Sequence, residues 1–163
     1  MVSSNLLGKL LHIQSHWGEY LPDWHPWEDY RNSYAARRAM GGGVALTLSH
    51  DLDLANWMAG SQLIDHKRLY NYSSSLEVDV ESGADFLLQY SNGVSAHVHL
   101  NYFQKVKERW YQYIFENAVV RIDFFRNEMI IKKPEEETIE RLEKFDRNDL
   151  FIEQIKYFFS VID

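Results

Sequence analysis

The amino-acid sequence predicts an α+β domain in which helices cover one face of a mainly antiparallel sheet of about six strands. Two observations support this prediction. The apolar residues of segment 44–60 recur at helical spacing, whereas most of the sequence after residue 60 alternates between apolar and polar residues, as strands do. In addition, the tripeptide Ser91-Asn92-Gly93 separates two alternating segments and is typical of a tight hairpin turn.

The composition is that of one globular domain. The 163 residues are 45% hydrophobic and 15% aromatic, which is enough to form a hydrophobic core. Cysteine is absent, which excludes disulfides and thiolate metal sites. The net charge is −7 and no basic segment is longer than Lys105–Arg109, so we expect no nucleic-acid partner. We also expect a cytoplasmic protein without a membrane partner, because no apolar run reaches ~20 residues and the sequence starts without a signal-peptide pattern.

A strand, a loop and a short helix are predicted for the first part of the chain. Alternation over Leu6–Tyr20 predicts the strand. Pro22 and Pro26 then predict a loop over residues 21–34. The short helix is expected at Asn32–Met40, and it leads into three consecutive glycines.

The glycines precede a predicted helix over Val44–Gly60. Glycine allows a sharp turn or a close approach of the backbone to another group, and Gly60 provides a C-terminal stop. The turn is not a phosphate-binding loop, because no Lys-Ser/Thr follows it and the chain has no Gly-x-Gly-x-x-Gly. The side of the helix that we expect to be buried consists of Val44, Leu46, Leu48, Leu52, Leu54, Trp57 and Met58.

The second half of the chain is predicted to form most of the sheet. Alternating patterns predict strands at Gln62–Tyr72, Ala84–Tyr90, Val94–Phe103, Trp110–Asn117, Val119–Phe125 and Met129–Lys132. Pro134–Glu137 is expected to be an acidic connector exposed to solvent. An amphipathic helix over Asp149–Ile162, with Asn148 as its N-cap, is predicted to close the domain.

The predicted strands have apolar residues on both alternations, as in FLLQY at 86–90 and VHLNYF at 98–103. The sheet face without helices is therefore expected to be apolar and to pair with a second subunit. His97 and His99 point to one face because they are two residues apart. Such a pair can bind a metal ion, but no third ligand can be named, so we favour a polar face or an interface and expect no metal.

His50 is the candidate catalytic residue. It shares a stripe of the predicted helix with Asp53 and Trp57, and Thr47 precedes it by almost one turn. A histidine on a rigid helix after a glycine turn is suited to proton transfer. The alternative is a hydrogen-bonded structural histidine, which is the more frequent case for a single helical histidine.

The loop over residues 21–34 is the candidate ligand-binding segment. Its polar and aromatic residues can together hold a hydroxyl-rich ligand, and loops bind ligands more often than strands do. A well-packed surface loop is the alternative. The candidates for contact with such a ligand are Trp24, His25, Tyr30 and Arg31.

The order of these segments resembles the C-terminal domain of the glucose–fructose oxidoreductase / inositol dehydrogenase (Gfo/Idh/MocA) family of NAD(P)-dependent sugar oxidoreductases. The most specific parts are GGGVALTLSHDLD at Gly41–Asp53 and GKLLHIQSHWGEYLPDW at Gly8–Trp24. The resemblance implies a fold like the C-terminal domains of dihydrodipicolinate reductase and GAPDH. It also implies a two-domain enzyme, in which an N-terminal Rossmann domain binds NAD or NADP and supplies a catalytic lysine.

The resemblance assigns roles to single residues of this chain. His50 matches the family's catalytic histidine, and Thr47 stands where the family has an aspartate. Threonine can form a hydrogen bond but cannot act as a base near neutral pH. Asp53 is a further candidate for substrate contact, and either Asp51 or Asp53 is a candidate for orienting His50.

Residues 1–163 contain neither a Rossmann fingerprint nor a Glu-Lys-Pro motif. We therefore expect this chain to be the substrate-binding and oligomerisation domain of a sugar oxidoreductase, excised or truncated, with no dinucleotide site and no activity alone. Its expected partners are a small-molecule sugar and further copies of itself through the sheet face. The alternative is a non-catalytic binding or assembly module that kept the fold.

Overall fold

The computed structural model describes residues 4–141 and 147–162. The first elements are α1 at Ser4–Leu7, β1 at Leu10–Tyr20, α2 at Val44–Thr47 and α3 at His50–Ala59. The remaining strands are β2 at Leu63–Asn71, β3 at Gly83–Tyr90, β4 at Ser95–Asn101, β5 at Phe103–Phe115, β6 at Val119–Asp123, β7 at Glu128–Lys133 and β8 at Glu136–Arg141. The last element is α4 at Arg147–Ser160.

The strands form one sheet in the order β2-β3-β4-β1-β5-β6-β7-β8. All neighbours are antiparallel except β1 and β4, which are parallel. The predicted α+β class and mainly antiparallel sheet are confirmed, but the described residues form eight strands instead of about six. The expected connector at Pro134–Glu137 was partly wrong. Pro134 and Glu135 form an exposed turn, but Glu136 begins an edge strand held to β7 by ion pairs such as Lys132–Glu137 and Arg141–Glu128.

The helical region is less regular than predicted. The helix expected at Val44–Gly60 is broken at Leu48–Ser49 into α2 and α3. The helix expected at Asn32–Met40 is replaced by 3₁₀ turns at Tyr30–Asn32, Tyr34–Ala36 and Arg38–Met40. The glycine turn does allow close approach, because a Cβ on Gly42 would lie 2.4 Å from the Tyr34 carbonyl oxygen. Gly60 ends α3 in the left-handed conformation, as predicted.

The predicted buried side of this helix was partly wrong. Leu46 and Trp57 are 65% and 74% exposed. The buried positions are Val44, Leu48, Asp51, Ala55 and Ala59. The two alanines leave room for α3 to lie against β1 and β4, so large apolar side chains are displaced to the outer side of the helix.

The two faces of the sheet differ in polarity. On the side of α2 and α3, the strands contribute buried apolar residues such as Val98 and Leu100. The opposite face, which we call the open face, has half-buried histidine and glutamine residues at its centre. The prediction of an apolar open face was wrong, because strict alternation sends the large apolar residues of both segments to the helix side, with Leu87 as the main exception.

Helix α4 forms as predicted but leaves its side chains exposed. It begins at Arg147, so Asn148 lies inside the helix and not at its N-cap. Among the described residues, nothing buries its apolar side. No helix in the described part of the chain is long and apolar enough to cross a membrane.

Candidate active site

His50 is the first residue of α3, and its side chain is exposed. Its ring lies 6.0 Å from the ring of Trp17, at an interplanar angle of 47°. Asp53 is also exposed, and within residues 4–141 it forms no hydrogen bond to His50. The expectation that Asp53 orients His50 therefore stays a prediction, without a contact that supports it. The exposed imidazole is accessible from solvent.

Asp51 follows His50 but is turned towards the sheet, where its side chain is fully buried. Oδ1 accepts a hydrogen bond from the Ser15 hydroxyl at 2.6 Å. Oδ2 accepts one from Nη2 of Arg109 at 3.0 Å and one from the Tyr111 hydroxyl at 3.1 Å. Burial, reinforced by this carboxylate, raises the pKa of Tyr111 and keeps it a donor. Asp51 forms no hydrogen bond to His50, because β1 and β5 provide the partners of both oxygens.

Arg109 connects the buried carboxylate to Trp17. Its guanidinium carbon lies 3.6 Å from the centroid of the Trp17 ring and 4.6 Å from that of Phe124. Its Nε also donates to the Tyr111 hydroxyl at 3.0 Å. The indole N–H of Trp17 donates to Glu19 at 2.7 Å. The ring beside His50 is thus held at one face and at its polar edge.

A second group of polar atoms lies near Thr47, the last residue of α2. The hydroxyls of Thr47 and Tyr102 and the indole N–H of Trp24 are buried, and none forms a well-oriented hydrogen bond among the described residues. Burial raises the pKa of Tyr102, and the nearby Thr47 hydroxyl partly offsets the rise. The Trp24 ring meets the Tyr102 ring edge-on at 5.4 Å. These buried groups can form hydrogen bonds with an enclosed water.

Two hydroxyls of this region are expected to respond differently to removal. Thr47→Val should leave the free energy of unfolding within about 1 kcal/mol of the original, because the buried hydroxyl has no well-oriented hydrogen bond to lose. Ser15→Ala should cost about 1.5–3 kcal/mol, because its hydroxyl donates to a buried carboxylate. Urea denaturation followed by tryptophan fluorescence measures both. Equal losses would show that the Thr47 hydroxyl forms a hydrogen bond as strong as that of Ser15, which would contradict this prediction.

The predicted ligand loop is braced by its own residues. The Arg31 guanidinium donates to Asp29 at 2.8 Å and reaches Glu77 at 3.4 Å. This pair lowers the pKa of Asp29. The Tyr30 hydroxyl accepts a hydrogen bond from the backbone N–H of Glu77 at 3.1 Å. The structure thus places Tyr30 and Arg31 in contacts that join the loop to Glu77.

The other loop candidates lie apart from these contacts. The exposed His25 ring meets the Trp27 ring edge-on at 5.4 Å. Only Trp24 among the four candidates is brought next to Thr47, through Tyr102.

The open face contains a cluster of four histidines, namely His12, His16, His97 and His99. His16 on β1 and His99 on β4 are cross-strand neighbours with stacked rings 5.1 Å apart. His97 and His99 point to the same face, as predicted, and both donate to Oδ1 of Asp85, at 3.0 and 2.8 Å. Burial raises the pKa of Asp85, but the hydrogen bonds from His99 and His97 outweigh it and lower that pKa. Among the described residues, no group of three or more side chains is arranged to hold a metal ion.

Hydrogen bonds fix which nitrogens of these rings carry protons. Nε2 of Gln104 donates to Glu108 at 3.1 Å, so Oε1 of Gln104 must accept from His16 and from Asn101. The amide nitrogen of Asn101 in turn donates to Nε2 of His99 at 3.1 Å. His99 therefore carries its proton on Nδ1, towards Asp85.

This cluster predicts that acid destabilises the fold. Burial, aided by His97, lowers the pKa of His12 below its ordinary 6.5. Burial also lowers the pKa of His16, against the opposing hydrogen bond from Gln104. The unfolded chain then binds protons more readily than the folded chain. The free energy of unfolding is therefore highest above pH 6.5, and it falls as the pH drops from 6.5 towards the lowered pKa values.

Denaturation midpoints measured between pH 8 and pH 5, that is, on both sides of about pH 6.5, test this prediction. His12→Gln and His16→Gln should each flatten the profile, and the exposed His66→Gln should leave it unchanged. A flat profile for the original chain would contradict it.

Sequence reasoning missed Trp17, Arg109, Tyr111 and Tyr102 as site residues. The alternation of β1 places Trp17 on the same face as Ser15, and that of β5 places Arg109 with Tyr111. These patterns were available in the sequence. The convergence of both strands on Asp51 was not, because it depends on the order of strands in the sheet.

The family model described as "GFO/IDH/MocA C-terminal domain" matches residues 1–121. No curated protein matches the sequence. UDP-N-acetylglucosamine 3-dehydrogenase GnnA from Acidithiobacillus ferrooxidans is similar in structure, with a TM-score of 0.67 and 15% identity over 86% of this chain and 41% of that one. An inositol dehydrogenase homolog from Azotobacter vinelandii, complexed with NAD+, gives a TM-score of 0.72 and 11% identity over 90% of this chain and 41% of that one.

An aldose-aldose oxidoreductase from Caulobacter crescentus, complexed with glycerol, gives a TM-score of 0.72 and 17% identity over 90% of this chain and 43% of that one. At these identities the three structures show the fold alone. The chain spans less than half the length of each of them. Because the family model matches most of the chain, this protein belongs to the Gfo/Idh/MocA family and has the fold of its C-terminal domain.

Proposed function

We propose that this chain is the substrate-binding part of an NAD(P)-dependent oxidoreductase that acts on a sugar or sugar derivative. The main support is the exposed His50 beside the Trp17 ring, which is held in place by the Arg109 guanidinium stacked on it. A sugar offers hydroxyls to an imidazole and an apolar C–H surface to an aromatic ring. Two similar structures are named as a UDP-N-acetylglucosamine 3-dehydrogenase and an aldose-aldose oxidoreductase, and we propose the same substrate class here.

In this proposal His50 takes the proton of the sugar hydroxyl whose carbon is oxidised. The buried hydroxyls of Thr47 and Tyr102 and the buried indole N–H of Trp24 hydrogen-bond to water in this proposal. Thr47 does not act as a base. Further candidates for sugar contact are His25, Tyr30, Arg31 and Asp53.

The glycine turn at Gly41–Gly43 does not fit the phosphates of a dinucleotide. The backbone N–H groups of Gly42 and Gly43 already donate to the carbonyls of Arg37 and Ala35. The next N–H group donates to the Glu81 carbonyl, and that of Ala45 donates to the Glu81 carboxylate at 3.2 Å. A carboxylate at this turn repels phosphate. We therefore propose that NAD or NADP, which supplies hydride transfer in such enzymes, is bound by residues outside this chain.

Titration of this chain with NADH and NADPH, followed by cofactor fluorescence, tests that division of roles. We expect no saturable binding and no oxidoreductase activity from this chain alone. Saturable binding would contradict the proposal, and shifts of the Gly41–Gly43 amide signals in NMR spectra would locate the site at the glycine turn.

We also propose that the open face pairs with a second copy of this chain. Its central side chains are already half-buried, and acidic groups (Asp85, Glu108) lie beside basic ones (Arg121 and the histidines), so the face is self-complementary in charge. Among the described residues, no element covers it.

Sedimentation equilibrium with a pair of variants tests this pairing. Leu87 is 57% exposed on the open face, and Leu46 is 65% exposed on the helix side. Leu87→Arg should convert an oligomer to a monomer, because it places an unpaired charge in the interface. Leu46→Arg adds the same charge on the other side and should leave the oligomer intact. A monomeric original chain would contradict the pairing.

A non-catalytic binding or assembly module is the second candidate function. Threonine at position 47 favours it, since no carboxylate is present there to assist His50. The His50 variant described in the Discussion distinguishes the two, because a module without chemistry has no turnover to lose.

A further inference from the structure

Among the described residues, Asp51 is the one polar side chain in the first turn of α3 that hydrogen-bonds to the sheet. Both carboxylate oxygens have partners, and these come from two adjacent strands, Ser15 on β1 and Arg109 and Tyr111 on β5. Three hydrogen bonds from different directions fix both the distance of this helix end from the sheet and its rotation about the helix axis. His50 precedes Asp51 directly, so its backbone is fixed as well.

The ring of His50 has its own contact with the same cluster. The Arg109 guanidinium that bonds Asp51 also stacks on Trp17 at 3.6 Å, and Trp17 is the ring beside His50. Glu19 holds the indole N–H of Trp17 at 2.7 Å, so the ring cannot rotate away. Arg109 thus reaches His50 by two routes, through the backbone at Asp51 and through the Trp17 ring.

We propose that Arg109 and Asp51 are positioning residues for His50, with Trp17 as the contact that transmits the position to the imidazole. The inference rests on the proposed function of His50. The arrangement itself can be observed without turnover.

The chemistry of the cluster favours positioning over stability. A buried ion pair adds little to stability compared with apolar side chains of the same size. Arginine, however, presents a planar fork that can hydrogen-bond at its edge and stack on its face at the same time. Arg109 uses both features, with Nη2 on Asp51, Nε on Tyr111 and its face on Trp17. Lysine keeps the charge but can reproduce neither the fork nor the stacking.

NMR spectroscopy of the histidine side chains in this chain tests the proposal. In Arg109→Lys, we expect the His50 ring signals to lose the ring-current shift caused by Trp17, while amide signals of β3 and β4 stay in place. Arg121→Lys is the matched control, because Arg121 stacks on Trp110 on the open face at 4.2 Å. It should leave the His50 signals unchanged.

Two further variants keep the test informative if Arg109→Lys unfolds. Trp17→Leu should remove the same ring-current shift without disturbing Asp51. Tyr111→Phe removes one donor to Asp51 and should move the His50 signals less than Trp17→Leu does. His50 signals that are the same in Arg109→Lys, or in Trp17→Leu, as in the original chain would overturn the inference. Loss of turnover in a His50 variant tests the proposed function separately, so either can fail without the other.

Discussion

Asp51→Ala is expected to lower the free energy of unfolding by about 3–5 kcal/mol. The substitution leaves the Arg109 guanidinium, only 19% exposed, without its counter-charge. It also leaves the Ser15 hydroxyl without its acceptor. This is the largest stability effect that the structure predicts for a polar residue near the site.

Asp53→Ala is the matched control. Asp53 lies in the same turn of α3, is exposed, and has no side-chain hydrogen bond within residues 4–141. Its loss should cost about 0.5 kcal/mol or less, as at other exposed positions. Urea denaturation followed by tryptophan fluorescence compares the two variants. Equal and small losses would mean that the Asp51 cluster does not hold α3 to the sheet.

His50→Ala is expected to reduce turnover by about 10²–10⁴-fold in a longer protein that joins this chain to a dinucleotide-binding part. The reason is loss of the group that takes the hydroxyl proton. The fold should be unaffected, because the exposed imidazole forms no hydrogen bond among the described residues. Steady-state kinetics of sugar oxidation, together with the denaturation midpoint, measure both effects.

The control for this variant is His66→Ala, which removes an exposed histidine from the edge strand β2. Its turnover should match that of the original protein. Unchanged turnover in His50→Ala, with an intact fold, would remove His50 from the mechanism and favour the non-catalytic module.

Local signals in the sequence were enough to predict most of the fold. The Ser91-Asn92-Gly93 turn joins β3 to β4, as its composition indicates, and Gly60 ends α3. Strand β8 was missed because its pattern is charged, and its pairing depends on ion pairs with β7. The break at Leu48–Ser49 was missed because apolar periodicity continues through it.

The candidate site was predictable only in part. Helical spacing and the family resemblance both pointed to His50 and Thr47 as candidates, and alternation grouped His97 with His99. The Asp51 cluster joins residues 36 and 58 positions apart in the sequence, and helical periodicity reports nothing about partners at that distance. Trp57 was expected to be buried because it is large and apolar, but it is exposed. Small alanines occupy the positions where α3 meets the sheet.

The most direct test of the central claim is chemical-shift mapping of this chain with UDP-N-acetylglucosamine and myo-inositol as probes. The claim is that this chain holds the substrate beside His50 and does not hold the dinucleotide. We expect saturable shifts of the Trp17 indole signal, the His50 ring signals and the Thr47 amide signal. Shifts confined to the open-face histidines, or produced at the glycine turn by NADH instead, would contradict it.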